Sequence, residues 1–336
     1  MVQDKEGFSS DQQIAQIRSL SLDQMSRNNS LVTLGLSYDG FDGAIDAERS
    51  KVLDLIKSGD VHFITTHYVG SPFGNTNSLE LVNRPEWEIL NTSMPMIFSH
   101  SSYVSTLDAY LLRQTNQYIS IAPESEQHAG HSNPHAHLIM DQASIAADSV
   151  FAYSTSLVHQ ARMWPQTVCS RLQQMVIDQW GVNINTPMRA QQAFYLATRG
   201  GALAVKRPDL GVIAVGAKAD LVFYNPFSAN LLGWRDPAAA IILHSDPRDI
   251  SDVMVGGKFV KRNFQLILPN LIESRRAFLQ TAQNFTQRYE NWDFSELPHW
   301  FYLANCVTMQ PVDVVRGNAT GYRMACWRSI GTFEVV

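Results

Sequence analysis

The sequence has few of the features that mark secreted, membrane-bound and nucleic-acid-binding proteins. It contains only 3 cysteines in 336 residues and no C-x-x-C pair, which favours a reducing compartment over a disulfide framework. No apolar run approaches the roughly 18 residues of a membrane helix, and the first residues lack the basic and apolar regions of a signal peptide. The net charge is −5 and the Lys and Arg residues are scattered, which argues against nucleic-acid binding. We therefore expect a cytoplasmic protein that acts on a small molecule, with neither a nucleic acid nor a membrane as a partner.

What the sequence does contain is a series of apolar runs that each end in a proton-active or metal-binding residue. VHFITTH ends at His67, PMIFSH at His100, YISIAPESE at Glu124 and Glu126, and ASIAAD at Asp148. Short apolar runs separated by enough chain for a helix are typical of repeated βα units and a parallel sheet. A (β/α) barrel keeps its active site at the carboxyl ends of such strands. Any one of these residues could simply mark the point where a buried strand meets solvent, but four in register indicate a site.

The chemistry of these residues points to metal-assisted catalysis. Histidine and carboxylate side chains are the usual ligands of a catalytic zinc ion, which activates water by lowering its pKa. The loop after the third run, PESEQHAGHSNPHAH, adds further candidates for contact with a substrate: Glu126, His128 and His131. His135 and His137 are set aside as metal ligands, because they lie far into a loop of turn residues, where nothing fixes both rings.

At these positions the chain resembles the amidohydrolase superfamily, in its branch of cytosine and guanine deaminases, S-adenosylhomocysteine-type deaminases and triazine chlorohydrolases. The resemblance is carried by His67 in TTHYVG, His100 in FSHSS and Asp148 in SIAADS, and then by GVIAVGAKADLV and VGGKFVKR. It covers about Leu31 to Leu266. It implies that His67 and Asp148 bind one divalent metal ion, zinc before iron or manganese, and that His100 contacts the metal or the attacked group.

The chain departs from this family at two places. The family supplies two metal ligands from a His-x-His after its first barrel strand, whereas no histidine precedes Val61 here. We therefore expect an incomplete (β/α) barrel of the TIM type with about five parallel strands in place of eight, half of the metal cage and a weakly bound ion. The deaminases also commonly carry a glutamate two or three residues after the histidine that His67 matches, where this chain reads Tyr68, Val69, Gly70 and Ser71.

The remaining organisation follows from the same patterns. We predict a partial barrel over residues 1–210, a small β-sandwich remnant over 211–270, and a helix with an unassigned aromatic-rich tail over 271–336. LVTLGLSY, residues 31–38, would form the open edge of the sheet, and association into a homo-oligomer would cover it. Asp39 after this strand either lines the pocket or forms a turn with Gly40.

Two further expectations concern the helices. Residues 155–180 read as a long helix with a kink or break at Pro165, with Trp164, Met175 and Trp180 in the core. Asn185 and Pro187 are expected to open the following helix.

Three functions remain open on the sequence alone. The first is a metal-dependent hydrolase of a C–N bond, other than a peptide bond, in a small cyclic or amide-like substrate. In it Asp148 accepts the proton of the attacking water, His100 stabilises charge, and Glu124 is a further catalytic candidate. The second is a truncated or vestigial protein without turnover, and the third is a lyase or isomerase on the same fold.

Overall fold

The structure is a computed structural model and describes residues 9–22, 31–150 and 152–291. The chain divides into two units after Thr286, and the helices and strands of the described residues belong to the first unit, except for the end of the last helix. The predicted aromatic-rich tail, with Cys306 and Cys326, lies outside the described residues.

The first unit is built around a five-stranded parallel sheet whose strand order follows the sequence. Its strands are β1 Leu36–Ser37, β2 Ile64–Tyr68, β3 Met96–His100, β4 Tyr118–Ile121 and β5 Ala143–Ile145. Within the described residues the sheet stays open, since β1 pairs only with β2 and β5 only with β4. This confirms the expected incomplete barrel of about five strands, with the run at residues 31–38 at its edge.

Helices connect these strands and continue after them. Their bounds are α1 Ser10–Leu22, α2 Asp46–Lys57, α3 Leu79–Val82, α4 Thr106–Thr115, α5 Pro123–His128, α6 Leu157–Ile177, α7 Ala190–Tyr195, α8 Gly201–Ala204, α9 Pro237–Ala239 and α10 Leu271–Glu290. A π-helical turn, Leu196–Gly200, joins α7 to α8. None of the helices in the described part of the chain has the length and hydropathy needed to cross a membrane.

The helices begin and end where local chemistry requires it. Ser105 caps α4 by accepting a hydrogen bond from the backbone N–H of Asp108, whose carboxylate accepts one from the N–H of Ser105 in return. The same carboxylate accepts a hydrogen bond from the buried hydroxyl of Tyr68 at the end of β2. The α4 cap thus ties a helix to the carboxyl edge of the sheet.

The core lies between the parallel sheet and the helices that cover it. Ile64, Met96, Phe98, Leu112 and Ile119 are fully buried there. Parallel strands have helices against both faces, which explains why these runs are nearly continuously apolar.

A second, antiparallel sheet follows the barrel strands. Its strands, in the order in which they pair, are β6 Leu221–Tyr224, β7 Ile250–Val255, β8 Lys258–Arg262 and β9 Gln265–Leu266. Gly256 and Gly257 form the turn between β7 and β8 with φ angles of 55° and 79°, as a type I′ hairpin turn requires. None of the residues in these four strands is buried. The sheet is the predicted remnant of a β-sandwich.

Three expectations about the helices were wrong: the alternative of a break in α6, the burial of two side chains and the start of one helix. The helix α6 continues without a break through Pro165, because Trp164, Pro165 and Val168 are all buried and tertiary packing offsets the lost backbone hydrogen bond. Trp164 is in the core, but the side chains of Met175 and Trp180 are 53% and 98% exposed.

The third of these expectations concerns the helix after α6. It starts at Ala190, not near Asn185, and its first turn is closed by the side chain of Gln192, which accepts a hydrogen bond from the backbone N–H of Arg189.

Replacing Phe98 by alanine should lower the free energy of unfolding by about 3–5 kcal/mol, because it leaves a cavity in the centre of β3. Urea unfolding followed by circular dichroism measures the change. Phe227→Ala is the matched control, since Phe227 is 82% exposed, and it should change stability by less than about 0.5 kcal/mol. Equal losses in both variants would contradict this account of the core.

Candidate active site

Two of the predicted site residues meet at the carboxyl edge of the parallel sheet. His67 lies near the end of β2 and His100 is the last residue of β3, and the two strands pair directly. Their imidazole rings stack with centroids 5.8 Å apart and an interplanar angle of 29°. In the strand register His67 pairs with Ser99 and His100 pairs with Tyr68, so the two rings come from successive positions where the paired strands end.

The imidazole of His67 is held by Asp39, which follows β1. The distance from Asp39 Oδ2 to His67 Nδ1 is 2.8 Å, and Asp39 Oδ1 accepts hydrogen bonds from the His67 backbone N–H at 2.7 Å and the Thr66 hydroxyl at 3.1 Å. Burial acts to raise the pKa of Asp39, but these hydrogen bonds and the positive charge of His67 lower it to about 2. In turn the hydrogen bond to Asp39 raises the pKa of His67, against the opposing effect of burial.

The sequence leaves Asp39 open between a pocket residue and a turn residue, and it is not among the catalytic, substrate-binding or metal-binding residues predicted above. It stands at the carboxyl end of a strand, as the predicted site residues do. That position is the signal that identifies it.

The imidazole of His100 is held by Glu126 from α5. His100 Nδ1 lies 3.3 Å from Glu126 Oε1, and the Glu126 side chain is only 1% exposed. The same oxygen accepts hydrogen bonds from the backbone N–H of Ala122 and the side-chain amide of Asn133. Glu126, predicted to contact a substrate, is therefore engaged inside the protein.

His131 and His128, the other two predicted substrate-binding residues, differ in their surroundings. His131 is buried, its Nδ1 is 2.7 Å from the Ser102 hydroxyl, and its ring stands edge-on to His100 with centroids 5.3 Å apart. Burial lowers the pKa of His131 to about 4, and the charge that His100 carries when it is protonated acts in the same direction as a smaller cause. His128 is exposed and its ring contacts Tyr153.

Glu124, predicted to be catalytic, accepts hydrogen bonds from a residue just before α6 and from a residue within that helix. Its Oε2 accepts hydrogen bonds from the Ser154 backbone N–H at 2.8 Å and from Gln160 Nε2 at 2.9 Å. The described contacts thus use this carboxylate to join α5 to α6.

Asp148 follows β5 and is exposed. Its negative charge contributes to the pKa of His67 and of His131, raising both, although for His131 burial outweighs it. Asp148 therefore acts on the histidine cluster through its electric field, and no hydrogen bond joins it to either ring within the described residues.

The histidine nitrogens at the carboxyl edge of the parallel sheet could serve as some, but not all, of the ligands of a divalent metal ion. Among the described contacts, Nδ1 of His67 and of His100 each face a carboxylate and Nε2 of each remains uncommitted. A carboxylate behind the imidazole is the usual support of a metal-binding histidine. However, the described residues contain no group of three or more His, Cys, Asp or Glu side chains placed to hold a metal. The two histidines could therefore supply two ligands of a metal ion, but the described residues do not surround it with a complete set.

A row of aromatic rings continues from these histidines into the loop after β2. Phe73 lies in that loop, is 48% exposed, and contacts His131 edge-on at 5.4 Å and Tyr103 at 6.0 Å between ring centroids. The loop is flanked by Gly70 and Gly74 with φ angles of 83° and 91°. Such loops at the carboxyl edge of a barrel shape the space for a substrate.

The burial of His131 predicts a pH dependence of stability. The unfolded chain takes up a proton on this residue near pH 6.5, whereas the folded chain does so only near pH 4. Between these values the unfolded state binds more protons, so the stability contributed by neutral His131 is complete above about pH 6.5 and is lost as the pH falls towards 4.

Unfolding free energies of the wild type and His131→Gln, measured by urea titration over this range, test the point. The slope of stability against pH should be shallower in the variant by up to about 1.4 kcal/mol per pH unit, the value for one proton. Identical slopes would contradict a buried, neutral His131.

Known proteins resemble this chain in sequence over a short segment. It is 32% identical over 84 residues to a 5-methylthioadenosine/S-adenosylhomocysteine deaminase of Pelotomaculum thermopropionicum, a match that spans 25% of this chain and 19% of that protein. It is 32% identical over 87 residues to a 5'-deoxyadenosine deaminase of Methanothermobacter thermautotrophicus, spanning 25% of this chain and 20% of that protein.

Solved structures resemble it over most of its length. An adenosine deaminase from Xanthomonas campestris with bound zinc superposes with a TM-score of 0.64 at 18% identity, covering 84% of this chain and 63% of that one. The atrazine chlorohydrolase TrzN from Arthrobacter aurescens, complexed with zinc, gives a TM-score of 0.61 at 18% identity, covering 82% and 60%. At these identities the likeness shows the fold. The chain spans less than two thirds of each of these relatives.

A model of the amidohydrolase family matches residues 62–260, which include β2 to β5, the histidine pair, Asp148 and the strands β6 and β7. This match covers more than half of the chain and agrees with the open parallel sheet, the carboxylate-backed histidines and the relatives in sequence and structure. The chain belongs to the amidohydrolase family.

Proposed function

We propose that this chain carries part of the active site of a hydrolase that cleaves a C–N bond, other than a peptide bond, in a small cyclic or amide-like substrate. The observation that carries the proposal is the pair of stacked imidazoles at the ends of β2 and β3, each with a carboxylate behind its Nδ1. Relatives named as deaminases and the family match support the reaction class. A lone histidine at a strand end would not carry this conclusion, but two carboxylate-backed ones on paired strands do.

The proposal includes one divalent metal ion, with zinc preferred to iron or manganese, since the similar structures from Xanthomonas campestris and Arthrobacter aurescens contain zinc. His67, His100 and Asp148 would hold it. When bound, such an ion polarises a water molecule and makes it a nucleophile at neutral pH. Because the described residues offer no closed cage, we expect this ion to bind weakly.

The side chains of the chain itself would then have separate tasks. Asp148, exposed and within electrostatic range of His67, would take the proton of the attacking water on its carboxylate. Asp39 would keep the His67 ring oriented through Nδ1. Phe73 and the loop around it would exclude water from one side of the bound substrate and orient its ring.

A second candidate is a protein that keeps this fold without turnover. It is favoured because the described residues do not group Asp148, or any other such side chain, with the two histidines as a set of three metal ligands. The two candidates differ in whether any substrate is converted, and in whether the two histidines bind an ion at all.

Zinc binding tests the histidine pair directly. The wild type should bind zinc measurably by isothermal titration calorimetry, and His67→Ala should remove this binding because it deletes one of two imidazole ligands. Asp39→Asn should weaken the affinity by about 10–100-fold, the usual effect of removing the carboxylate behind a metal-bound histidine.

His62→Ala is the matched control, since His62 precedes the same strand and is exposed at its opposite end. It should leave the affinity unchanged. If the His62 and His67 variants lost affinity equally, the metal would not be at the carboxyl edge of the sheet.

Turnover tests the proposed reaction. Zinc-loaded chain is assayed against cyclic amides, aminopurines and aminopyrimidines, with ammonia or amine release as the readout. A converted substrate should lose about 10²–10⁴ in rate in Asp148→Asn, because the proton acceptor is gone. Asp178→Asn, at the exposed end of α6, is the control and should keep the wild-type rate.

Full activity of Asp148→Asn would show that another group accepts the proton. If no compound in the panel is converted while zinc binds at the histidine pair, the form without turnover is favoured.

A further inference from the structure

The backbone on which His100 stands has an unusual conformation. His100 and Ser101 have φ angles of 70° and 46°, in the left-handed region that residues other than glycine rarely adopt. Ser132 and Asn133, in the loop that follows α5, have φ angles of 47° and 41°. Strained residues of this kind persist only where their surroundings hold them, and they cluster at functional sites.

Asn133 joins these two strained segments. Its side-chain Nδ2 donates to the carbonyl oxygen of His100 at 2.6 Å and to Oε1 of Glu126 at 3.1 Å, while its Oδ1 accepts from the backbone N–H of Ala136 at 3.2 Å. All three bonds agree on one orientation of the amide. The backbone N–H groups of His131 and Ser132 both donate to the Glu126 carbonyl oxygen, which fixes the loop on α5. The strain at His100 is therefore held in place from α5 and its loop.

The hydrogen bonds at Glu126 determine where His100 carries its proton. Oε1 of Glu126 receives an N–H from Ala122 at 2.9 Å and another from Asn133 at 3.1 Å, so this oxygen is an acceptor. His100 Nδ1 faces the same oxygen at 3.3 Å, and a bare nitrogen there would place two acceptors against each other. Oε2 of Glu126 is buried and has no hydrogen-bond partner among the described residues, so a proton on the carboxyl group would sit on Oε2 and would leave this conclusion unchanged. His100 Nδ1 therefore carries a hydrogen.

We propose that Glu126, supported by Asn133, is a positioning residue that fixes His100 as the Nδ1-protonated tautomer and leaves the lone pair of Nε2 free for the site. Glu126 does this from inside the protein and does not touch the substrate.

The consequence for chemistry rests on the proposed function. A neutral His100 held in this tautomer cannot donate a hydrogen bond from Nε2 to an attacked group. It can offer a lone pair there, either to a metal ion or to a proton. Of the two roles open to His100, this inference selects the acceptor role.

The experiment is nuclear magnetic resonance of the full chain labelled with ¹⁵N-histidine, without metal, at a pH well above the ordinary histidine value of about 6.5. Long-range ¹H–¹⁵N couplings in the ring distinguish the two tautomers, and the spectrum of His100→Gln identifies the His100 signals. We expect a single Nδ1-protonated form for His100. Protonation on Nε2 in the wild type would overturn the proposal, with no variant required.

Variants at Glu126 separate positioning from general support of the fold. Glu126→Ala should lose the pure Nδ1-protonated form, and Glu126→Gln should keep it, because its Oε1 accepts the same three hydrogens. If Glu126→Ala does not fold, Asn133→Ala replaces it and should broaden or split the His100 ring signals. Loss of the tautomer in Glu126→Gln, or its full retention in the alanine variant that folds, would overturn the assignment.

Glu124→Ala is the matched control, because Glu124 lies on the same short helix but bonds to Ser154 and Gln160. It should leave the His100 tautomer unchanged even if it lowers the unfolding temperature. A changed tautomer in this control would count against a specific role of Glu126. Since the readout needs neither metal nor turnover, failure of this inference is distinguishable from failure of the proposed hydrolase activity.

Discussion

The hydrogen bond from an imidazole Nδ1 to a carboxylate is the constraint on which this site depends, and it occurs twice. His67 is tied to Asp39 after β1, and His100 to Glu126 after β4, so each ring is held by a residue from a different βα unit. The pairs form only if the four strands keep their order and register, because the tied residues are distant in sequence. The open parallel sheet is therefore not merely a scaffold beneath the site. Its strand order decides which carboxylate meets which ring.

The parts of this arrangement that the sequence reveals are those that depend on a strand pattern. Apolar runs ending at His67, His100 and Asp148 are visible because a buried parallel strand is mostly apolar until its end. The run that leads to Glu124 is different, because PESEQH forms a short helix. On that helix Glu124 bonds to α6 while Glu126 bonds to His100, a division of roles that depends on the helical direction of each side chain. No pattern of polar and apolar residues in the sequence predicts these different partners.

The remaining differences have equally local causes. Asp39 precedes Gly40, and an Asp-Gly pair ordinarily indicates a turn, which obscures the position of Asp39 at a strand end. Pro165 suggested a break in α6, yet the burial of its neighbours keeps the helix continuous through it. Trp180 suggested core by its size, and it is almost fully exposed. In each case the deciding contact comes from another element, which a single stretch of sequence cannot show.

The two carboxylates that hold the imidazole rings differ in their effect on the stability of the folded protein. In the Asp39–His67 pair the two side chains are 38% and 55% exposed, so solvent screens the ion pair and its contribution to stability is small. Its main effect is on orientation and on the pKa of the ring. Glu126 is 1% exposed and leaves Oε2 without a partner among the described residues, which is unfavourable for folding. An apolar residue in its place would avoid that cost but would release His100 Nδ1, the Ala122 N–H and the Asn133 amide together. The presence of a buried acid at this point is thus explained by what it orders around His100 and not by stability, and the same holds for the left-handed backbone beneath that residue.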